Sequence, residues 1–214
     1  MSPSDHLSAG GPGGSDRMAA HPNPDRLSPP APGGWETLST RRVLVHRFLR
    51  VDAEAVRTPA GSVLDPWWVL NLPDWVVVVA ITEGEEVVLV RQWRQGARHF
   101  ALEIPGGIID ADDPDPITAG RRELLEETGF EAVSWRLVGG LWPDPARNSN
   151  RCHVVLGTGC RCVATPRLEP GETLETVVMP MPDVRRMLRD GDMESTLHAA
   201  GLLRGLCAAG ILEF

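Results

Sequence analysis

The stretch RRELLEETGF, residues 121–130, sets three glutamates within five residues, at 123, 126 and 127. On a helix, Glu123, Glu126 and Glu127 fall at i, i+3 and i+4 and share one face. Like charges at that spacing repel, weaken the helix and favour a proton or a cation. Leu124 and Leu125 read as core-facing, and Gly129 reads as the C-terminal stop. Arg121 and Arg122 stand at the helix middle and offset part of the repulsion. A glutamate-rich run is most commonly a solvated face. It also suits a hard cation such as Mg²⁺, which takes clustered oxygens and keeps waters for a phosphate substrate.

The flanks favour the cation. Before the helix, the strand HFALEIPGG ends at Pro105 and two glycines, Gly106 and Gly107. Their bare backbone lets a metal or phosphate approach closely. An acidic, proline-rich loop, IIDADDPDP (108–116), joins that turn to a predicted helix over 117–129.

Farther out, residues 1–34 are rich in Pro, Gly, Ser and Asp. Such a segment buries too little apolar surface to offset its ordering entropy, so a disordered tail is expected there. Residues 35–214 are expected to form the folded domain, N-terminal strands included. RRVLVHRFLRVDAEAV alternates as one strand, WWVLNL and WVVVVAIT follow as strands, and TEGEE is a hairpin turn leading into EEVVLVRQW. EAVSWRLVGGLW, RCHVVLGTGCRCVAT and ETLETVVMPM supply more strands, and MPDVRRMLRDGD and MESTLHAAGLLRGLCAAG close the chain as helices. Strands around one helix, with helices at the end, predict a single mixed α/β domain.

Composition excludes several classes. The 214-residue chain has a net charge of −8, which argues against nucleic acid or an anionic membrane as partner. All 21 basic residues are arginine. The cysteines are 152, 160, 162 and 207, and the CRC spacing suits neither a zinc site nor a redox pair. No apolar run has the length of a membrane span, and the first residues lack the features of a signal peptide. A reducing, cytoplasmic setting is expected.

Residues 107–130 resemble the Nudix box, G-x5-E-x7-R-E-U-x-E-E-x-G-U, where U is aliphatic or aromatic. Gly107 matches the first glycine. Arg122, Glu123, Leu124, Glu126, Glu127, Gly129 and Phe130 match the second half. The middle departs: Asp113 stands where the first glutamate falls, and eight residues rather than seven separate it from Arg122. That glutamate mostly supports loop and helix in the family, so the departure bears on loop geometry. The lead-in VVLVRQWRQGARHFALEIPGG resembles the ADP-ribose pyrophosphatase-like branch, and the resemblance spans about residues 41–208.

The resemblance implies an α/β/α sandwich around a mixed sheet. It also implies an enzyme that hydrolyses a nucleoside diphosphate linked to another group, most simply ADP-ribose or a related nucleotide sugar. Mg²⁺, with Mn²⁺ as substitute, is expected on Glu123, Glu126, Glu127 and the Gly106 carbonyl. Arg122 is expected to hold the helix against the loop. The general base is expected in RLEPGETLE, at Glu172 or, second, Glu169. Arg91 and Arg94 are expected on phosphate or ribose, since the guanidinium fork matches phosphate oxygens. Glu103 is expected beside metal-bound water or ribose; Trp68 or Trp93 can stack on a base, although core or interface roles suit tryptophan better. Pro145, sixteen residues after Gly129, matches a proline of that branch. DPARNSN replaces the branch's usual loop wording, which leaves another nucleotide open. WPDP echoes the NADH pyrophosphatases without the rest of their motif. A catalytically silent ligand sensor is the alternative, and such proteins usually lose box glutamates. Relatives in this branch imply a homodimer.

Overall fold

The computed structural model describes residues 33–169 and 171–213. The expected tail therefore lies, but for Gly33 and Gly34, outside the described residues. Two sheets organise the rest. β1 (Glu36–His46), β2 (Leu49–Arg57) and β3 (Val63–Asn71) form an antiparallel sheet in that order. The second sheet runs β11-β5-β4-β10-β8, built from β4 (Trp75–Thr82), β5 (Glu86–Arg94), β8 (Phe130–Glu131), β10 (Cys152–Cys162) and β11 (Leu174–Pro180). β6 (His99–Glu103) adds to β5, β7 (Gly106–Ile108) to β4, and β9 (Ser134–Leu141) to β10. β4 and β10 are parallel, from Trp75 opposite Cys152 onward, while β4 meets β5 and β7 antiparallel, so the sheet is mixed.

β4 is buried almost throughout because both faces are covered, which is why it reads as an unbroken valine run. Val76, Val78 and Ala80 face α1 (Pro116–Thr128), with Leu124, Ala119 and Val155. Val77, Val79 and Ile81 face the other layer, α2 (Met181–Asp190) and α3 (Thr196–Ala208), through Val184, Leu202 and Leu206. The result is the expected α/β/α sandwich.

α1 owes its limits to local chemistry. Asp115 caps it, its Oδ1 accepting the Ile117 and Thr118 amides at 2.8 and 2.9 Å. Pro116 occupies the first turn, where its missing N–H costs nothing. Gly129 ends the helix with φ of 73°, and a Cβ there would strike the Ala164 carbonyl. Leu124 is fully buried as expected, but Leu125 is exposed, because one step rotates it by about 100° away from the sheet.

One expected strand proves to be two. The run from Arg41 breaks at Arg47–Phe48 into the β1–β2 hairpin, with His46 opposite Leu49. HFALEIPGG stops before Pro105 as expected, since Pro105 has no N–H to donate, and a further short strand, β7, follows it. The chain there changes partner, from β5 for β6 to β4 for β7. The TEGEE turn forms as expected between β4 and β5. All four cysteines are free, and no helix among the described residues is long and apolar enough to cross a membrane.

The first sheet joins the second body at the end of β3. Leu70 exchanges backbone bonds with Arg147 and Ser149 at 2.8 and 3.0 Å, and Ser149 Oγ bonds Asn71 Oδ1 at 3.0 Å. β1 is exposed along its whole length and carries Leu38, Val43, Leu44 and Val45; Phe48, Val63 and Trp68 are exposed nearby.

Candidate catalytic site

The site is assembled where β7 meets α1. Gly106 and Gly107 are required by close approach. A Cβ on Gly106 would collide with the Val76 carbonyl, and one on Gly107 with the Glu123 carboxylate. Bare backbone at 107 is thus what lets Glu123 lie against the strand.

Glu127 completes the same junction. Its Oε2 accepts the Gly106 amide at 2.9 Å. Glu127 is 4% exposed and Glu123 8%, whereas Glu126 is half-exposed at the rim. Burial pushes the Glu127 carboxyl up to about 8; the Gly106 amide opposes this, and the charges of Glu123 and Glu172 add to it. Burial likewise pushes Glu123 up to about 7, against the pull of Arg122 and with the push of Glu126 and Glu172. Two carboxyls held this high in one place will take up protons or a cation near neutrality.

Arg122 is the hub of the junction. Its Nη1 donates to Glu123 Oε1 at 2.9 Å and Glu126 Oε2 at 3.2 Å. Its Nη2 donates to the Ile108 carbonyl at 3.1 Å and Asp113 Oδ2 at 2.8 Å, with Asp110 at 3.6 Å. One guanidinium therefore ties helix, β7 and acidic loop together. Arg122 stands beside two of the three ridge carboxylates, closer than its mid-helix position suggested. Asp113 is drawn below the usual carboxylate range: burial works against this, and the bond and charge of Arg122 outweigh it. Asp113 thus reaches Arg122 in spite of its short side chain.

The donors fit a hard cation: carboxylate oxygens beside bare backbone, on two buried groups whose burial favours taking up a positive partner. Among the described residues, no three His, Cys, Asp or Glu side chains already converge as a cage. Instead Arg122 draws Glu123 and Glu126 toward itself.

The remaining expected residues do not all join the site. Glu172 lies on the loop before β11, near enough for its charge to act on Glu123 and Glu127. Its Oε2 accepts the Glu169 amide at 2.8 Å, and its own amide donates to the Glu169 carbonyl at 2.9 Å, so the two form one closed turn with Glu169 exposed. Arg94 joins the site: it bonds Glu103 Oε2 through Nη2 at 2.5 Å and Nε at 3.0 Å, and its charge acts on Glu127. Arg91 points to the other face of β5, its guanidinium 4.3 Å from the Phe100 ring centroid. Trp93 shares that face, edge-on to Phe100 at 5.3 Å. Pro145 lies on the loop bound to the end of β3, and Trp68 belongs to the exposed first sheet.

Sequence reasoning missed His198. It is 3% exposed, with Nδ1 3.0 Å from the Ile104 carbonyl and Nε2 3.5 Å from Glu103 Oε2. A single histidine on an apolar helix gives no signal of this. The Asp115 cap was also missed, although Asp-Pro before a helical run is a readable start.

Comparison with known proteins agrees with this geometry. The family model of the NUDIX domain matches residues 72–198, more than half the chain. A CMP-5'-(N-acetyl-N-hydroxy-3-aminopropyl)phosphonate hydrolase of Streptomyces rubellomurinus is 29% identical, over 82% of this chain and 84% of its own length. An ADP-ribose pyrophosphatase of Mycobacterium tuberculosis is 26% identical, over 79% of this chain and 82% of its own. A crystal structure of an ADP compounds hydrolase superposes with a TM-score of 0.71, covering 83% of this chain and 97% of that one; at 22% identity it speaks for the fold. With the box glutamates clustered at β7 and the domain matched across both core layers, the chain belongs to the NUDIX domain family, that of the Nudix hydrolases.

Proposed function

We propose that the protein hydrolyses the pyrophosphate linkage of ADP-ribose or a related nucleoside diphosphate sugar, with Mg²⁺ or Mn²⁺, releasing a nucleoside monophosphate and a sugar phosphate. One observation carries this reading: Glu123 and Glu127, both nearly buried, meet at a bare-backbone glycine pair and carry pKa values raised toward neutrality. The names of the two relatives, one for a CMP-linked phosphonate and one for ADP-ribose, support a nucleotide-linked substrate.

Glu123, Glu126, Glu127 and the Gly106 carbonyl would hold the metal. When bound, Mg²⁺ supplies charge neutralisation at the phosphates and a more acidic water. Glu172 accepts the proton of the attacking water at its carboxylate, and Glu169 braces the loop that presents it. Arg94 takes a phosphate oxygen with the guanidinium edge that Glu103 leaves open. Arg91, turned to the far face of β5, is a weaker candidate for that contact.

Residues 35–214 act as one domain in this reading. The exposed apolar residues of β1 are covered by a second copy of the chain, giving a homodimer. The setting is cytoplasmic, in keeping with four free thiols.

A hydrolysis panel tests the proposal: ADP-ribose, other nucleoside diphosphate sugars, CMP-linked compounds and NADH, with and without Mg²⁺. Metal-dependent release of a nucleoside monophosphate, lost in Glu127→Gln, is expected. Tight binding of ADP-ribose without any release would overturn it in favour of a sensor.

A further inference from the structure

We propose that Arg167, on the loop between β10 and β11, is a further substrate-binding residue, whose guanidinium takes a phosphate oxygen of the nucleotide-linked substrate at the Glu126 rim of the site. The proposal rests on the reading of that site as a pyrophosphate hydrolase.

The loop crosses the end of α1 under backbone control. Its first residues are tied to the helix stop, the Val163 and Ala164 amides donating to the Gly129 carbonyl at 2.9 and 3.1 Å. Pro166, with its fixed φ, lies against the same glycine, Cδ 3.5 Å from where a Cβ would stand. The Arg167 amide then donates to the Glu126 carbonyl at 2.7 Å. Farther on, Glu172 is near enough for its charge to act on Glu123 and Glu127, and the Thr173 carbonyl accepts the Trp93 amide at 3.4 Å. Arg167 is therefore pinned beside the outermost glutamate of the ridge, on a loop whose far end reaches the other two.

The helix end accounts for the backbone of this segment but not for its arginine. Any residue with an N–H could meet the Glu126 carbonyl. The Arg167 side chain is exposed and, among the described residues, makes no hydrogen bond or ion pair. Arg122 and Arg94, by contrast, are committed. Arg122 is spread over Glu123, Glu126, Asp113 and the Ile108 carbonyl, and Arg94 gives Nε and Nη2 to Glu103. Arg167 leaves the Glu126 carboxylate to Arg122 and so keeps all its own donors for an incoming group. A guanidinium matches phosphate oxygens, and a diphosphate seated over the ridge lies beside its exposed rim. Arg94 approaches from the β5–β6 side and Arg167 from the helix end, so the two are separate contacts.

The test uses the full chain, ADP-ribose and Mg²⁺, with a thermal melt of each variant. Arg167→Ala should raise KM about tenfold, as loss of a charged hydrogen bond predicts, with a smaller change in kcat. Its melt should match wild type, since the side chain holds nothing in the unliganded fold. Arg167→Lys should recover part of the loss, and added NaCl should raise KM less steeply in Arg167→Ala than in wild type. In the Glu127→Gln background, where turnover is expected to be lost, calorimetry should show Arg167→Ala weakening ADP-ribose binding by a similar factor. Wild-type KM and binding in Arg167→Ala overturn the proposal and leave the hydrolase reading standing. A lowered melt with unchanged KM makes Arg167 structural and also overturns it. If wild type binds ADP-ribose without releasing a nucleotide, the hydrolase reading falls, and with it the proposal. A wild type that neither binds nor hydrolyses any compound of the panel overturns both.

Discussion

The Glu127 carboxylate accepts the Gly106 amide at 2.9 Å, joining the last turn of α1 to the first residue of β7. A single carboxylate therefore serves as a structural acceptor and as a proposed metal ligand. Glu127→Gln separates the two roles, since the amide oxygen can still accept from Gly106. The variant should fold and melt no lower than wild type in metal-free buffer at pH 8. Its kcat/KM should fall by about 10³-fold or more, the scale of losing a principal charge-stabilising group. Steady-state kinetics beside a thermal melt measure both.

The raised carboxyls set a pH dependence of stability. Unfolded glutamates titrate near 4.5, while folded Glu123 and Glu127 titrate near 7 and 8. Between those values the folded state binds more protons than the unfolded one, so stability is full below about 4.5 and is lost as pH rises toward 8. In metal-free buffer the loss should be roughly 2–4 kcal/mol, from the energy of about 1.4 kcal/mol per pKa unit discounted for coupling. Asp113, lowered in the fold, acts oppositely and only at the acid end. Denaturant titrations with chelator from pH 5 to 8 should show the decline, and Mg²⁺ should restore more stability at pH 8 than at pH 5. A flat profile would refute the assignment.

Gly107→Ala places a methyl group against the Glu123 carboxylate. Overpacking of this kind costs about 1–3 kcal/mol. The displaced carboxylate should also weaken Mg²⁺ binding, read by calorimetry. An equal stability loss with unchanged Mg²⁺ affinity would remove Glu123 from the metal site.

Arg122→Lys keeps the charge but cannot span Glu123, Glu126, Asp113 and the Ile108 carbonyl at once. A loss of about 2 kcal/mol is expected, below the range for a fully buried pair because the side chain is partly exposed. Hydrogen exchange should locate the loosening in the 108–115 loop and the first turn of α1.

If a second copy covers the first sheet, Val45→Glu on exposed β1 should yield monomers in sedimentation velocity while leaving the thermal transition of the main body in place. Wild-type monomers at micromolar concentration would count against the dimer.

What could be read ahead of the structure follows from how local each cause is. The helix 116–128 was legible because Gly129 and the i, i+3, i+4 spacing are local signals, and β4 because a valine run covered on both faces has few other uses. The β1–β2 hairpin was not, since Arg47 and Phe48 lack the glycine or asparagine that marks a tight turn. The turn at Arg98 likewise uses positive φ, 56°, on a residue that gives no such warning. The box glutamates were legible as a spacing. The Arg94–Glu103 pair was not, because its members end two different strands brought together only by sheet pairing.

The parallel pairing of β4 with β10 has one more consequence. Two parallel neighbours cannot be joined by a tight turn, so the polypeptide must leave β4 and travel back to begin β10 at the same end. That detour, residues 83–151, contains the glycine pair, the acidic loop and the whole of α1. The glycine pair is anchored within it by the pairing of β7 with β4, so the acidic loop and α1 hang as a pendant between β7 and β8. Within such a pendant, a lengthened loop is absorbed locally, and the extra residue before Arg122 leaves the alignment of β4 with β10 untouched.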